Sequence, residues 1–232
     1  MARREEKLTA LAKELSGLGV RAEVLPTDLS DRTARASLLE RVVELGLTPE
    51  ILVNNAGFST TGPVARSDPA AEMMMIEVDV VAVADLCSRF LPGMVERGRG
   101  AILNVASTGA FQPLPGQAGY GAGKAFVLSY THSLIGELRR TGVTATALCP
   151  GPVHTEFAAA AGLTREQSES ALPGFMWETA ESVAKTGVSA LAKGRAVAIP
   201  GAVNLAGSMV GHYTPRRFLV PLLASRHPSL PK

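Results

Sequence analysis

The stretch "YGAGK" places Tyr120 and Lys124 four residues apart in a segment of helical periodicity, so their side chains share one face. A free phenol ionises near pH ~10 and is a poor acid–base catalyst at neutrality. A lysine ammonium beside it favours the phenolate and lowers that value. A tyrosine so placed can give a proton to a carbonyl under reduction, or take one from an alcohol under oxidation. Alone, Y-x-x-x-K also arises on ordinary helix surfaces and carries little weight. "GYGAGKA" resembles a phosphate loop as well, but Ala118 stands where that loop needs glycine and Ala125 where it needs serine or threonine, so this reading fails.

The elements that must position these residues alternate between strand and helix. A short strand is expected in "RAEVLPTDLS", followed by a helix over "DRTARASLLERVVELG". "EILVNNAG" is a continuous apolar run ending in turn residues, as a buried parallel strand should be. "DPAAEMMMIEVDVVAVADLCSRFLPGMVERG" reads as one long helix, with Asp68 as N-cap ahead of Pro69. Strands follow in "GAILNVAS", "VTATALCPG" and "AVAIPG", separated by helices over "AGYGAGKAFVLSYTHSLIGELRRTG" and "TAESVAKTGVSALAKG". This alternation predicts an α/β fold, a doubly wound parallel sheet in a single domain over 1–232. In such sheets ligands bind outside the carboxyl ends of the strands. Asn54 to Gly57, Ser107 and Pro150-Gly151 all fall there.

Composition narrows the class. The chain has 232 residues, 46% apolar and 19% charged, with a net charge of +2 and no long basic run, so nucleic acid is not an expected partner. No stretch approaches the ~20 apolar residues of a membrane span. The polar, charged start does not read as a signal peptide, and a cytoplasmic location is expected. Cys87 and Cys149 are far apart and read as inert core thiols rather than a disulfide or nucleophile. His132 and His154 have no companions at metal-ligand spacing, so no metal is assigned.

Ser107 lies thirteen residues before Tyr120, "NNAG" ends the strand before it, and "PGPVHTEF" follows the strand after it. This ordered set resembles the short-chain dehydrogenase/reductase family along essentially the whole chain. The resemblance implies a Rossmann-like fold and a carbonyl/alcohol oxidoreductase that uses NADP(H) in preference to NAD(H). Tyr120 would be the general acid/base, Lys124 would lower its pKa and bind the nicotinamide ribose, and Ser107 would polarise the substrate carbonyl. Asn54, Ala56 and Gly57 would line the cofactor. Pro150, Gly151, Val153 and Thr155 match the segment holding the nicotinamide carboxamide, although Thr155 also fits a helix N-cap. Asp28 matches an acidic residue beside the adenine, or else caps the next helix. Arg3, then Arg4, match an arginine on the 2′-phosphate of NADP, a group that arginine suits through paired hydrogen bonds. Both arginines equally fit a solvent-facing helix start beside Glu5 and Glu6.

Two departures stand out. Asp79 occupies the place of the family's asparagine, whose main-chain carbonyl holds a water in the proton relay to the lysine. Because that role is partly carried by backbone, the resemblance lets Asp79 stand in as a catalytic residue, while its carboxylate would weaken the effect of Lys124 on Tyr120. The family's first strand and T-G-x-x-x-G-x-G turn also have no match, so the expectation is a chain truncated at its N-terminus. Such a chain would lack the first βα unit and leave the strand "AEVL" separated from "ILVNN".

Residues 153–177 fall where the family has its substrate lid. Phe157, Ala158 to Ala161, Phe175, Met176 and Trp177 there suit an apolar ketone, acyl thioester or steroid-like substrate, or simply pack the lid. The helices holding Met73 to Met75 and Phe126 to His132 match those that form homodimers or homotetramers. The proline-broken 212–232 segment reads as a plain tail, with a flap, an oligomer contact or a lipid-surface element near Arg216 and Arg217 as alternatives. The alternative to an enzyme is a non-catalytic fragment or pseudoenzyme acting through oligomer contacts.

Overall fold

A computed structural model describes residues 1–162, 164, 166, 173–226 and 230. Residues 163, 165 and 167–172 of the expected lid, and 227–229 and 231–232 of the tail, lie outside the described residues. The chain forms two compact units, 1–48 and 49–232.

The first unit carries α1 (Glu5–Gly17), α2 (Arg32–Ala36) and α3 (Leu38–Glu44). The strand expected in "AEVL" does not form; residues 18–28 have no regular structure. A strand is stable only when a neighbour completes its ladder. The backbone bond that does form nearby is a single one, from Thr27 N to Ala2 O at 3.0 Å. Asp28 is not the cap of the next helix either. Its carboxylate accepts from the backbone and hydroxyl of Ser30 at 2.9 and 2.7 Å, an Asx turn. Asp31 caps α2 instead, accepting from Thr33 N and Ala34 N.

The second unit is built on four parallel strands in the order β1 (Ile51–Asn54), β2 (Gly100–Val105), β3 (Val143–Leu148) and β4 (Val197–Ala198). The crossovers carry α4 (Pro69–Ile76), α5 (Ala82–Glu96), α6 (Ala118–Glu137), a short α7 (Phe157–Ala160) and α8 (Ala180–Ala192). Asp68 caps α4 through Ala70 N, as its place before Pro69 predicts. The long helix expected from 68 to 98 is not continuous. Residues Glu77–Val81 form a π-helical segment between α4 and α5.

The core is aliphatic. Ile102, Leu103, Ala145 and Leu148 of the sheet are buried, as are Leu86 and Phe90 of α5 and Val127 of α6. Leu103 and Leu148 pack with Ala190 and Leu191 of α8. Each fully buried Leu or Ile stabilises by roughly 2 kcal/mol. At the turn into β3, Gly142 has φ +79° and a side chain there would strike the Gly98 carbonyl, so both conformation and space require glycine. After β4 come α9 (Ala202–Tyr213) and α10 (Arg216–Arg226).

Candidate active site

The site is built where β1, β2 and β3 end. Register pairs Asn54 with Asn104 and Val105 with Leu148, so the segments after these strands emerge side by side. Ser107 lies two residues beyond β2, and its hydroxyl accepts from Gly109 N at 3.0 Å, which starts a 3-10 turn over Thr108–Phe111. Thr108 N donates to Pro150 O at 2.8 Å and ties this turn to the segment after β3.

Tyr120 and Lys124 project from the first turns of α6. The Lys124 ammonium lies 5.6 Å from the centre of the Tyr120 ring. It is almost fully buried, donates to Val105 O at 3.2 Å, and pairs with the Asp79 carboxylate at 3.0 Å. Asp79 is also buried and accepts from Phe58 N at 3.0 Å. It sits inside the π segment, where the extra residue in the turn carries its side chain toward α6. Single π turns of this kind concentrate at functional sites. Gly57 closes over the pair: a Cβ there would lie 3.0 Å from both Asp79 oxygens and 3.1 Å from Lys124 Nζ. Only glycine lets the backbone pass so close.

Burial decides the acidity of the phenol. It holds Tyr120 up at about 12, against the lowering pull of Ser107 and with a smaller upward push from the negative Asp79. The lowering expected from Lys124 does not dominate, because Asp79 neutralises the ammonium at contact distance. Burial also pushes the Asp79 carboxyl above the ordinary range, against the pull of the Lys124 charge and the Phe58 N–H.

The other expected residues fall into three groups. Asn54 is buried with its amide donating to Asn104 Oδ1 at 2.8 Å and contacting Cys87 Sγ at 3.4 Å. Its side chain is thus spent inside the sheet, while Ala56 beyond it is exposed. Pro150 and Gly151 follow β3. Val153 bridges to Glu178, and Thr155 Oγ1 accepts from Phe157 N at 3.2 Å ahead of α7, whose N-cap position is Glu156 and not the expected Thr155. Phe157 lays its ring against Tyr120 at 5.5 Å and 56°. Arg3, Arg4 and Asp28 belong to the first unit. Arg3 is near enough to Asp28 to help lower its carboxyl, after the bonds from Ser30.

Sequence reasoning missed two residues. Asn104 accepts from Asn54 and donates to Thr131 Oγ1 at 3.0 Å, bracing the ends of β1 and β2 against α6. An asparagine inside the apolar run "AILNVAS" was the available signal. Asn204 of α9 donates to Met176 O and Pro200 O and packs on Gly151, where a Cβ would meet it at 2.5 Å. No motif marks it. Among the described residues no cluster of three His, Cys, Asp or Glu could hold a metal, and no helix is long and apolar enough to cross a membrane.

The arrangement is a phenol, a hydroxyl and a buried ammonium grouped at the strand ends, able to polarise an oxygen and exchange a proton with it. The chain is similar to known proteins in sequence and in fold. The chain is 38% identical to sulfoacetaldehyde reductase 2 of Chromohalobacter salexigens over 67% of its length. The chain spans 62% of that relative's own length, and 52% and 61% of two further curated relatives. Its fold matches that of a 7beta-hydroxysteroid dehydrogenase with a TM-score of 0.81 at 24% identity, over 96% of this chain and 85% of that one. A short-chain dehydrogenase from Sphingobium yanoikuyae, solved in complex with NADPH, matches with a TM-score of 0.77 at 28% identity, over 94% and 83% of the two chains. The sequence model of the short chain dehydrogenase family matches residues 1–166. The chain therefore belongs to the short-chain dehydrogenase family, with a Rossmann-like fold.

Proposed function

We propose that the protein is an oxidoreductase interconverting a carbonyl and an alcohol with NADP(H). The observation that carries this reading is the grouping of Ser107, Tyr120 and Lys124, with the phenol held protonated at neutral pH. A protonated Tyr120 is a proton donor ready for a carbonyl oxygen that gains charge as it is reduced. Ser107, near enough to Tyr120 to lower its pKa, would orient that oxygen. Lys124 would hold a ribose hydroxyl: an ammonium has three donors, and Val105 and Asp79 engage two of them. Asp79 would fix the lysine in place, with its own backbone available to the proton relay.

When bound, NADP(H) supplies or accepts the hydride. The donor set fits its nicotinamide end, with Lys124, the Pro150–Gly151 backbone, Val153 and Thr155 as the holding residues. Asn54, Ala56 and Gly57 would form the wall beside them. Arg3 would take the 2′-phosphate, with Arg4 second, and Asp28 would lie beside the adenine. The NADPH-bound relative supports this choice over NAD(H).

Apolar side chains favour an apolar substrate such as a ketone, an acyl thioester or a steroid-like molecule. Phe157 lies against Tyr120, and Trp177 stacks on His154. We further propose one domain over 1–232, a cytoplasmic location, and assembly into dimers or tetramers through the face holding exposed Met73, Met74 and Phe126.

Titration with NADPH and then NADH, followed by nicotinamide fluorescence, tests the cofactor assignment. Selective NADPH binding, weakened at least tenfold in Arg3→Ala, is expected. No binding by the folded chain would overturn it and favour the non-catalytic alternative.

A further inference from the structure

Helix α9 is inside out. Its buried residues are Asn204, Ser208 and Gly211, at the i, i+4, i+7 spacing of an inward stripe. Its outward face carries Val203, Leu205, Met209, Val210 and Tyr213, with Val210 64% and Tyr213 77% exposed. The inward polar groups have partners of their own: Asn204 holds Met176 O and Pro200 O, and Ser208 donates to Asn204 O. The orientation is therefore fixed, and the apolar face cannot turn inward. Helix α10 continues the pattern, burying Leu219 and exposing Phe218, Val220 and Leu222. Single exposed apolar residues are ordinary, but two consecutive helices presenting them together mark a contact surface.

Charge identifies the partner. All 21 acidic residues of the chain lie in residues 1–181, with sixteen of the 23 lysines and arginines; residues 182–232 hold seven cationic residues and no acidic one. The near-neutral total hides this division. Arg217 is exposed with its guanidinium 4.7 Å over the Phe218 ring, and Arg216 is held at the helix junction by bonds to Gly211 O and Phe111 O. Neither α9 nor α10 contains an acidic residue, so a second copy docked through the same two helices would offer their arginines no carboxylate from those helices. Exposed apolar side chains beside the exposed Arg217, with Tyr213 amphipathic at the boundary, fit a layer of acyl chains beneath anionic headgroups.

We propose that α9 and α10 dock this protein in the plane of an anionic lipid surface. The other side of α9 packs on the Thr108–Phe111 turn that follows Ser107. Docking would hold that turn about one helix diameter, ~10 Å, from the lipid. The inference does not depend on the catalytic reading.

Flotation with vesicles tests it, using seven parts phosphatidylcholine to three of phosphatidylglycerol against phosphatidylcholine alone, with the solution mass measured in parallel. The wild-type chain is expected to float with the anionic vesicles and to release at high salt. Met209→Ser with Val210→Ser should lower the partition at least tenfold, and Arg217→Glu about fivefold or more. These side chains are exposed, so folding by circular dichroism should be unchanged; if the double variant does not fold, Arg217→Glu decides alone. Absence of flotation, or flotation indifferent to both variants, would overturn the proposal. So would a dimer mass that the double variant reduces to a monomer while no vesicle binds, since the face would then join two copies.

Discussion

The inward face of α6 and the outward face of α9 each reverse the usual distribution of polarity. In α6 an ammonium is buried and in α9 valine, methionine and tyrosine face outward. The two reversals differ in how they are supported. Lys124 is answered inside the molecule by Asp79, Val105 O and the closeness of Gly57. The α9 face is answered by nothing within its own helix pair, and its local charge points outward. A buried charge met by an opposite charge indicates a site, whereas an exposed apolar face beside an exposed arginine indicates a surface.

The largest effect should come from breaking the α6 pair. Lys124→Met or Asp79→Leu alone strands one buried charge and should each cost about 3–5 kcal/mol in urea unfolding, while the double variant recovers most of it. Strict additivity of the two losses would show that the groups do not act as a pair. Next, Gly151→Ala attacks the inward face of α9 by driving a Cβ to 2.5 Å from Asn204, with an expected loss of about 1–3 kcal/mol.

A pH test sharpens the α6 side. Tyr120 is raised from 10.0 to about 12 in the folded chain, chiefly by burial, so the unfolded chain gives up this proton first. The stability from the neutral phenol is complete below pH ~10 and is lost as pH rises through about 12. Tyr120→Phe should flatten that alkaline limb in thermal melts. The smallest effect belongs to the outward α9 face: Met209→Ser with Val210→Ser should change stability by no more than about 0.5 kcal/mol. A larger loss would mean that this face is packed in the free protein.

Much of the α6 side was legible in sequence, because the chemistry requires particular residue types at fixed separations. Ser107, Tyr120 and Lys124 fall at strand ends and on one helix face as their spacing predicts. The four apolar runs after residue 48 became strands, but only β2 and β3 are largely buried; β1, expected to be a buried strand, leaves Ile51 and Val53 exposed on one face. "AEVL" shows the limit of such reading: its composition suits a strand, but pairing is a long-range property and composition cannot supply a neighbour. The π segment at Asp79 was hidden for the same reason, since one extra residue per turn leaves the apolar pattern intact. Asp31 took the cap expected of Asp28 because Ser30 captured the earlier carboxylate. Helix α9 was not foreseen, since its periodicity is that of a buried helix while its polar stripe faces inward.

In the proposed reaction Tyr120 moves the proton while hydride passes between nicotinamide and a carbonyl carbon. The most direct measurement is NADPH consumption with a panel of apolar ketones and acyl thioesters, comparing the wild-type chain with Tyr120→Phe. The account predicts turnover by the wild type and a loss of about 10²–10⁴-fold in the variant, with NADPH binding retained. Turnover that survives in Tyr120→Phe, or a folded wild-type chain that binds NADPH and reduces none of the panel, would contradict it.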